Sequence, residues 1–413
     1  MGLGWNREEG GVDGPGRVRP SGWPMRLVWR RGGLFRAIGR AGLAIALIGC
    51  AGAAVAEIDR ERARADMREI YASIRVLVPL SADENAFGDL KNRERIRDAL
   101  SKLAARAEHV ADHVGDKDRR IQYLGGSLSR ESMEALRRFD EGRMRDARFF
   151  VQQLPDFCVA CHSALPSPKD SPLARDFVSD KELARLSPTR RAVLQVATRR
   201  FDDALVSYES VFASPVVHPA ELLHPLTQYL TVSIRVKNDL ARPVPVLEKL
   251  AGRPDLWSNL RTDVERWVET LNRFASEPAT EPTLESARAP LDEAAAIIRF
   301  PTDRQVLVHY LVASSRFHRY LENHAHESNR NTAEAYYWLG LIESRVGGNY
   351  WVSESDFYLE TAIRLAPRGP IAERAFALFE EEAILGWTGS SGNNMPPEVR
   401  SRVEELRSLV YPN

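Results

Sequence analysis

The sequence predicts an all-α protein: a four-helix bundle over residues 57–168, then an α-solenoid of helical repeats over 181–413. Three observations predict it. Four stretches before residue 158 carry apolar residues at three- and four-residue intervals, the spacing that gathers them on one face of a helix. Polar runs such as "SADENAFGD" and "HVGDKDRR" separate those stretches. Beyond about residue 176 the helical pattern resumes with weak internal repetition. A chain of 413 residues has room for two or three domains with ample core.

The first 56 residues stand apart. They hold eight arginines against Glu8, Glu9 and Asp13, which leaves 49 basic and 54 acidic residues in the remainder. A chain so balanced shows no basic face or tail of the kind that binds nucleic acid. Residues 1–24, rich in Gly, Pro and Arg, read as extra leader. From Met25 to Ala56 an arginine-rich opening leads into an apolar stretch from Ala41 to about Ile48. Small residues ending in Ala54-Val55-Ala56 follow. That order is the secretory signal pattern, and its apolar run is shorter than the roughly 20 residues a spanning helix needs. The expectation is an exported, periplasmic protein cut after Ala56. "Leu47-Ile48-Gly49-Cys50" also resembles the lipobox of bacterial lipoproteins, in which case Cys50 carries the lipid and anchors the chain to a membrane.

In the bundle, Met67, Ile70, Tyr71, Ile74, Leu77 and Val78 form the first stripe. Ile96, Leu100, Leu103, Ala107 and Val110 form the second. A third runs from about Ser129 with Met133, Leu136 and Phe139. The fourth, Met144, Ala147, Val151 and Leu154, leads straight to Cys158. Pro155 is expected to kink or restart this last helix, because proline removes one helical hydrogen bond and crowds the preceding turn.

The chemistry lies in "DFCVACHSALP", residues 156–166. The chain has three cysteines: Cys50 in the leader, and Cys158 and Cys161, followed at once by His162. Two lasting cysteines exclude a disulfide scaffold and a four-cysteine zinc site. A thioredoxin-like pair needs a strand before it, and the flanks are helical in pattern. C-x-x-C-H is the attachment signature of c-type haem: two thiols three apart bond the macrocycle edge, and the next histidine binds the iron. One such motif implies one covalently bound haem c, with Cys158 and Cys161 as thioethers and His162 as the proximal iron ligand. Export agrees with this, since such proteins mature outside the cytoplasm.

With four helices and the motif on the last of them, residues 57–168 resemble class II c-type cytochromes, the cytochrome c-prime type. The resemblance implies a four-helix bundle and a sixth iron ligand, where there is one, from the first helix. Met67 is the candidate there, with ordinary core packing as its other reading. His109 and His113, at i and i+4 on the second helix, and Met133 and Met144 are further options. The sequence departs from that family after His162, where "SALPSPKDSP" is a turn-rich linker that runs on through 169–180.

In the second region Ser187-Pro188 reads as a helix start, with a capping serine and proline in the first turn. "ATRRFDDALVSYESVF" places Ala204 and Tyr208 four apart after a short basic turn, and Ala241 follows a similar one. Residues 277–290 read as a surface connection. "AEAYYWLGLIESRVGGNYWVSESDFYLETAIRLAP" places Tyr336, Leu339 and Gly340 on one helix and Ala362 on the next, closed by Pro367. These units resemble tetratricopeptide repeats, helix pairs with small residues where they cross. Such stacks commonly dock other proteins. Tyr336, Tyr337, Trp338, Tyr350 and Trp351 are an aromatic concentration that suits either an anchor or a core. Neither a nucleophile elbow, a phosphate loop nor a dinucleotide fingerprint is present, so no enzyme activity is expected. The expected function is one-electron transfer with a docked redox partner. The alternatives are a haem-based gas sensor, and a scaffold in which the haem is secondary.

Overall fold

The all-α expectation holds: about 80% of the described residues are helical. The computed structural model describes residues 61–112, 119–163, 179–278, 280–346, 354–390 and 392–412. The leader and Cys50 therefore lie outside the described residues, as does most of the Pro/Ser linker. Among the described residues the only strands are β1 (Thr388–Gly389) and β2 (Gly392–Asn393), one antiparallel pair.

Helix α1 covers residues 61–81, and its stripe of Ile70, Tyr71, Ile74 and Leu77 is buried as the spacing requires. The polar run after it is more than a loop. It carries α2 (Glu84–Gly88), capped by the Asp83 carboxylate, which accepts from the Asn85 backbone N–H at 2.9 Å. Phe87 of α2 is buried edge-on against Phe139, ring centres 5.8 Å apart. Helix α3 (Leu90–Asp112) follows, then α4 (Arg119–Asp140), which starts ten residues before the expected start near Ser129. Met133 is half-exposed, so it lies off the face that Ala135 and Phe139 bury. Helix α5 (Met144–Ser163) runs unbroken through Pro155. The expected restart is absent: the ring is buried within one continuous helix.

The second region opens with α6 (Asp180–Leu183) and α7 (Pro188–Ala197). Pro188 does sit in the first turn of α7, but the Ser187 side chain makes no capping bond. Then come α8 (Phe201–Ala213) and α9 (Pro219–Thr231), which passes into a π-helical turn at Val232–Val236. After these lie α10 (Pro243–Ala251) and α11 (Ser258–Ala275). Ala204 and Tyr208 are fully buried, whereas Ala241 is exposed in the turn before α10 and is no helix-crossing residue. Half of the expected connection at 277–290 is helix. Thr283 and Ser286 form a reciprocal capping box that starts α12 (Leu284–Ile297).

The last part holds α13 (Leu307–His324), α14 (Arg330–Val346), α15 (Glu354–Leu365), α16 (Pro370–Gly386) and α17 (Pro397–Val410). Gly340 permits the close approach of α14 and α15. A Cβ there would lie 2.6 Å from Leu359 Cδ2 and 2.7 Å from its Cγ, far inside van der Waals contact. Tyr336, Tyr337 and Trp338 pack against the cores of this part. The Arg374 guanidinium sits 4.7 Å from the Tyr337 ring centre, and Trp338 donates to Glu334 at 3.2 Å. Tyr350 and Trp351 lie outside the described residues.

The cores of the two regions interlock. Val159 of α5 packs with the residues of α7 to α9, while Leu194 of α7 packs with the apolar faces of α1, α3 and α5. Among the described residues no helix is long and apolar enough to cross a membrane.

Candidate functional site

The last turns of α5 place Cys158, Cys161 and His162 at i, i+3 and i+4, one above another on a single helix face. All three line a cavity of about 190 Å³. Phe157 closes it from the same helix, Met67 and Ile70 from α1, and Val110 from α3. Helix α4 supplies Ile121, Gly125 and Leu128, and the turn between α7 and α8 supplies Arg199. The lining is thus apolar except for the two sulfurs, the imidazole and one guanidinium.

Burial sets the state of the polar groups. The Cys158 thiol is pushed up to about 12, first by burial and then by the Asp156 carboxylate. Its sulfur lies 3.9 Å from the Leu154 carbonyl. No disulfide joins the two cysteines. A redox dithiol works through a thiolate, which helix N-termini favour. These two sit at the C-terminal end of α5, where the helix dipole opposes negative charge. The geometry therefore does not favour thiol–disulfide exchange.

Burial lowers the His162 imidazole to about 4, and the nearby Arg199 charge adds to this; the carbonyls of Ala197 and Val196 pull the other way as hydrogen-bond acceptors. At neutral pH the ring is uncharged, the form that binds metals. Its Nδ1 is buried with no hydrogen-bond partner. A buried ring nitrogen left unpaired costs stability unless something else satisfies it.

Of the sequence-predicted residues, Met67, Cys158, Cys161 and His162 come together at this one cavity. The others do not. His109 is exposed, with Nδ1 3.7 Å from the Asp66 carboxylate. Met133 is half-exposed, and Met144 packs at the far end of α5. His113 lies outside the described residues. Among those described, no group of three His, Cys, Asp or Glu is placed to hold a metal ion. Arg199 and Gly125 were not foreseen. The two-arginine turn before α8 was visible in sequence, but nothing in it said where Arg199 would lie.

The opposite face of α5 is polar. Asp156, Ala160 and Ser163 line a second cavity, of about 100 Å³, with Arg235, Glu343 and Glu354. Arg120 of α4 donates to Glu354 at 2.5 and 3.1 Å and to the Ala160 carbonyl at 2.9 Å. Arg235 donates to Glu343 at 2.6 Å, and the Tyr358 hydroxyl donates to Glu354 at 3.1 Å. Burial raises the Asp156 carboxyl to about 6.

In comparisons with known proteins, no family model, no curated protein and no solved structure matches the chain.

The donor set fits a c-type haem. The protonated Cys158 thiol, the Cys161 sulfur, a neutral imidazole with an unsatisfied nitrogen, and a thioether sulfur border one apolar space. At about 190 Å³ the space is smaller than the roughly 300–1,000 Å³ of a pocket that encloses a small organic ligand. It accommodates part of such a group, not the whole.

Proposed function

We propose that the protein is an exported monohaem c-type cytochrome that transfers single electrons and docks a protein partner through its second region. The observation that carries this reading is the convergence of Cys158, Cys161 and His162 on the same apolar cavity as Met67. Cys158 and Cys161 would hold the haem as thioethers and His162 would bind its iron, with Met67 as the sixth-ligand candidate. When bound, the haem supplies an iron that cycles between ferric and ferrous.

The chain's own residues prepare for this. Burial keeps Cys158 as the thiol and His162 as the neutral base. Ile70, Val110, Leu128 and Phe157 line the cavity with apolar surface and would keep water from a bound haem, which would limit solvent reorganisation during electron transfer. In this reading α1, α3, α4 and α5 are a four-helix bundle like that of class II cytochromes. Helices α7 to α17 are helical repeats, of which the α14–α15 pair is the most tetratricopeptide-like. Export follows from the leader at 25–56, and Cys50 is the route to a membrane if it is lipidated.

The test is the full chain made in a host that matures c-type haem. The parent should give a haem-staining band, and Cys161→Ser should lose most of it. A colourless parent of unmodified mass would overturn the assignment. A ferrous absorption spectrum unmoved by carbon monoxide would support an electron carrier with Met67 bound. Rapid carbon monoxide binding would favour the gas-sensing alternative.

A further inference from the structure

Resting on the haem reading, we propose that Arg199, from the second region, is the cation that balances the carboxylates of the haem and raises its reduction potential. A c-type haem brings two propionate groups, and an apolar cavity needs a countercharge to take them. No carboxylate and no other guanidinium or ammonium group lines this cavity among the described residues.

The backbone around Arg199 is built for placement. Helix α7 ends with the Arg199 N–H donating to the Val196 carbonyl at 2.9 Å and the Arg200 N–H donating to the Gln195 carbonyl at 2.8 Å. This is the helix-ending pattern whose left-handed residue is usually glycine. Arg199 occupies that position with φ +59, a conformation that residues with side chains seldom adopt. Strain of this kind concentrates where a side chain is needed. The Thr198 hydroxyl, donating to the Leu194 carbonyl at 2.8 Å, braces the turn. Arg200 beside it donates to Asp180 at 2.6 Å and to Asp203 at 2.7 Å. The same turn brings the Val196 and Ala197 carbonyls to His162, so one short segment orients the imidazole and presents the charge.

Arg199 is a positioning residue, and its signature is a potential. A positive charge near the iron disfavours the ferric form, so removing it lowers the midpoint. Equilibrium redox titration of the full-length, haem-loaded protein should show a lower midpoint in Arg199→Gln. The expected change is about tenfold in the ferric-to-ferrous ratio, or ~59 mV for one electron. Arg199→Lys should restore most of the parental value. Arg199→Gly removes the charge while suiting the left-handed backbone, so it should lower the midpoint without loss of thermal stability. A haem-loaded Arg199→Gln or Arg199→Gly with the parental midpoint would overturn the proposal. Failure of the parent itself to carry haem would instead overturn the reading beneath it.

Discussion

The two faces of α5 differ as sharply as two sides of one helix can. One turns Phe157, Cys158, Cys161 and His162 to an apolar cavity; the other turns Asp156, Ala160 and Ser163 to a cavity where Arg235, Glu343 and Glu354 meet. On the apolar face burial decides protonation, keeping the thiol and the imidazole neutral. On the polar face two ion pairs form, Arg235–Glu343 and Arg120–Glu354, the latter with both side chains under a tenth exposed. A helix that buries neutral sulfur and imidazole groups on one side is thus held in register by ions on the other. Buried ions tolerate only their own partners, whereas apolar contacts tolerate many.

The largest way to break this contrast is to unpair the ions. Glu354→Gln leaves the Arg120 guanidinium buried without a countercharge and should cost about 3 kcal/mol or more, read from urea unfolding. Replacing both partners, Arg120→Met with Glu354→Leu, should recover much of that loss, since two apolar side chains leave no charge stranded. If the double variant is no more stable than the single one, Arg120 and Glu354 do not act as a pair. Next in size is Gly340→Ala. Its methyl would press on Leu359 and push α15, which carries Glu354, away from α14, at a cost of about 1–3 kcal/mol.

The pH-dependent effect is the most diagnostic. The folded Asp156 carboxyl is raised to about 6, above the roughly 3.9 of an unfolded chain. Between those values the native state holds a proton that the unfolded chain has lost. This group's contribution therefore falls as pH rises from about 4 through 6. Asp156→Asn removes the penalty. The variant should melt above the parent at pH 7.5 by a few degrees and close to it at pH 4.5. An equal difference at both pH values would show that the carboxyl does not titrate in this range.

Much of the first region was legible because its information is local. The spacing of Ile70, Tyr71, Ile74 and Leu77 marks a buried helix face, and Cys158, Cys161 and His162 are neighbours in sequence as well as in space. Met67 could be singled out because it rides the same stripe. Where propensity and packing disagree, local reading failed. The start of α4 contains Gly125 and Gly126, poor helix formers, so its pattern emerged only beyond Ser129. Phe87 looked like part of a polar loop because α2 is too short to show a period. Pro155 looked like a break because its burial could not be seen. Arg199 and the Arg120–Glu354 pair were out of reach for another reason: their partners are set by the path of the whole chain.

That pair has a consequence for biogenesis. Arg120 and Glu354 are 234 positions apart, so while the N-terminal helices are being synthesised the acid that neutralises Arg120 has yet to arrive. The helix that bears Cys158 and Cys161 cannot reach its final seating until nearly the entire polypeptide has been made.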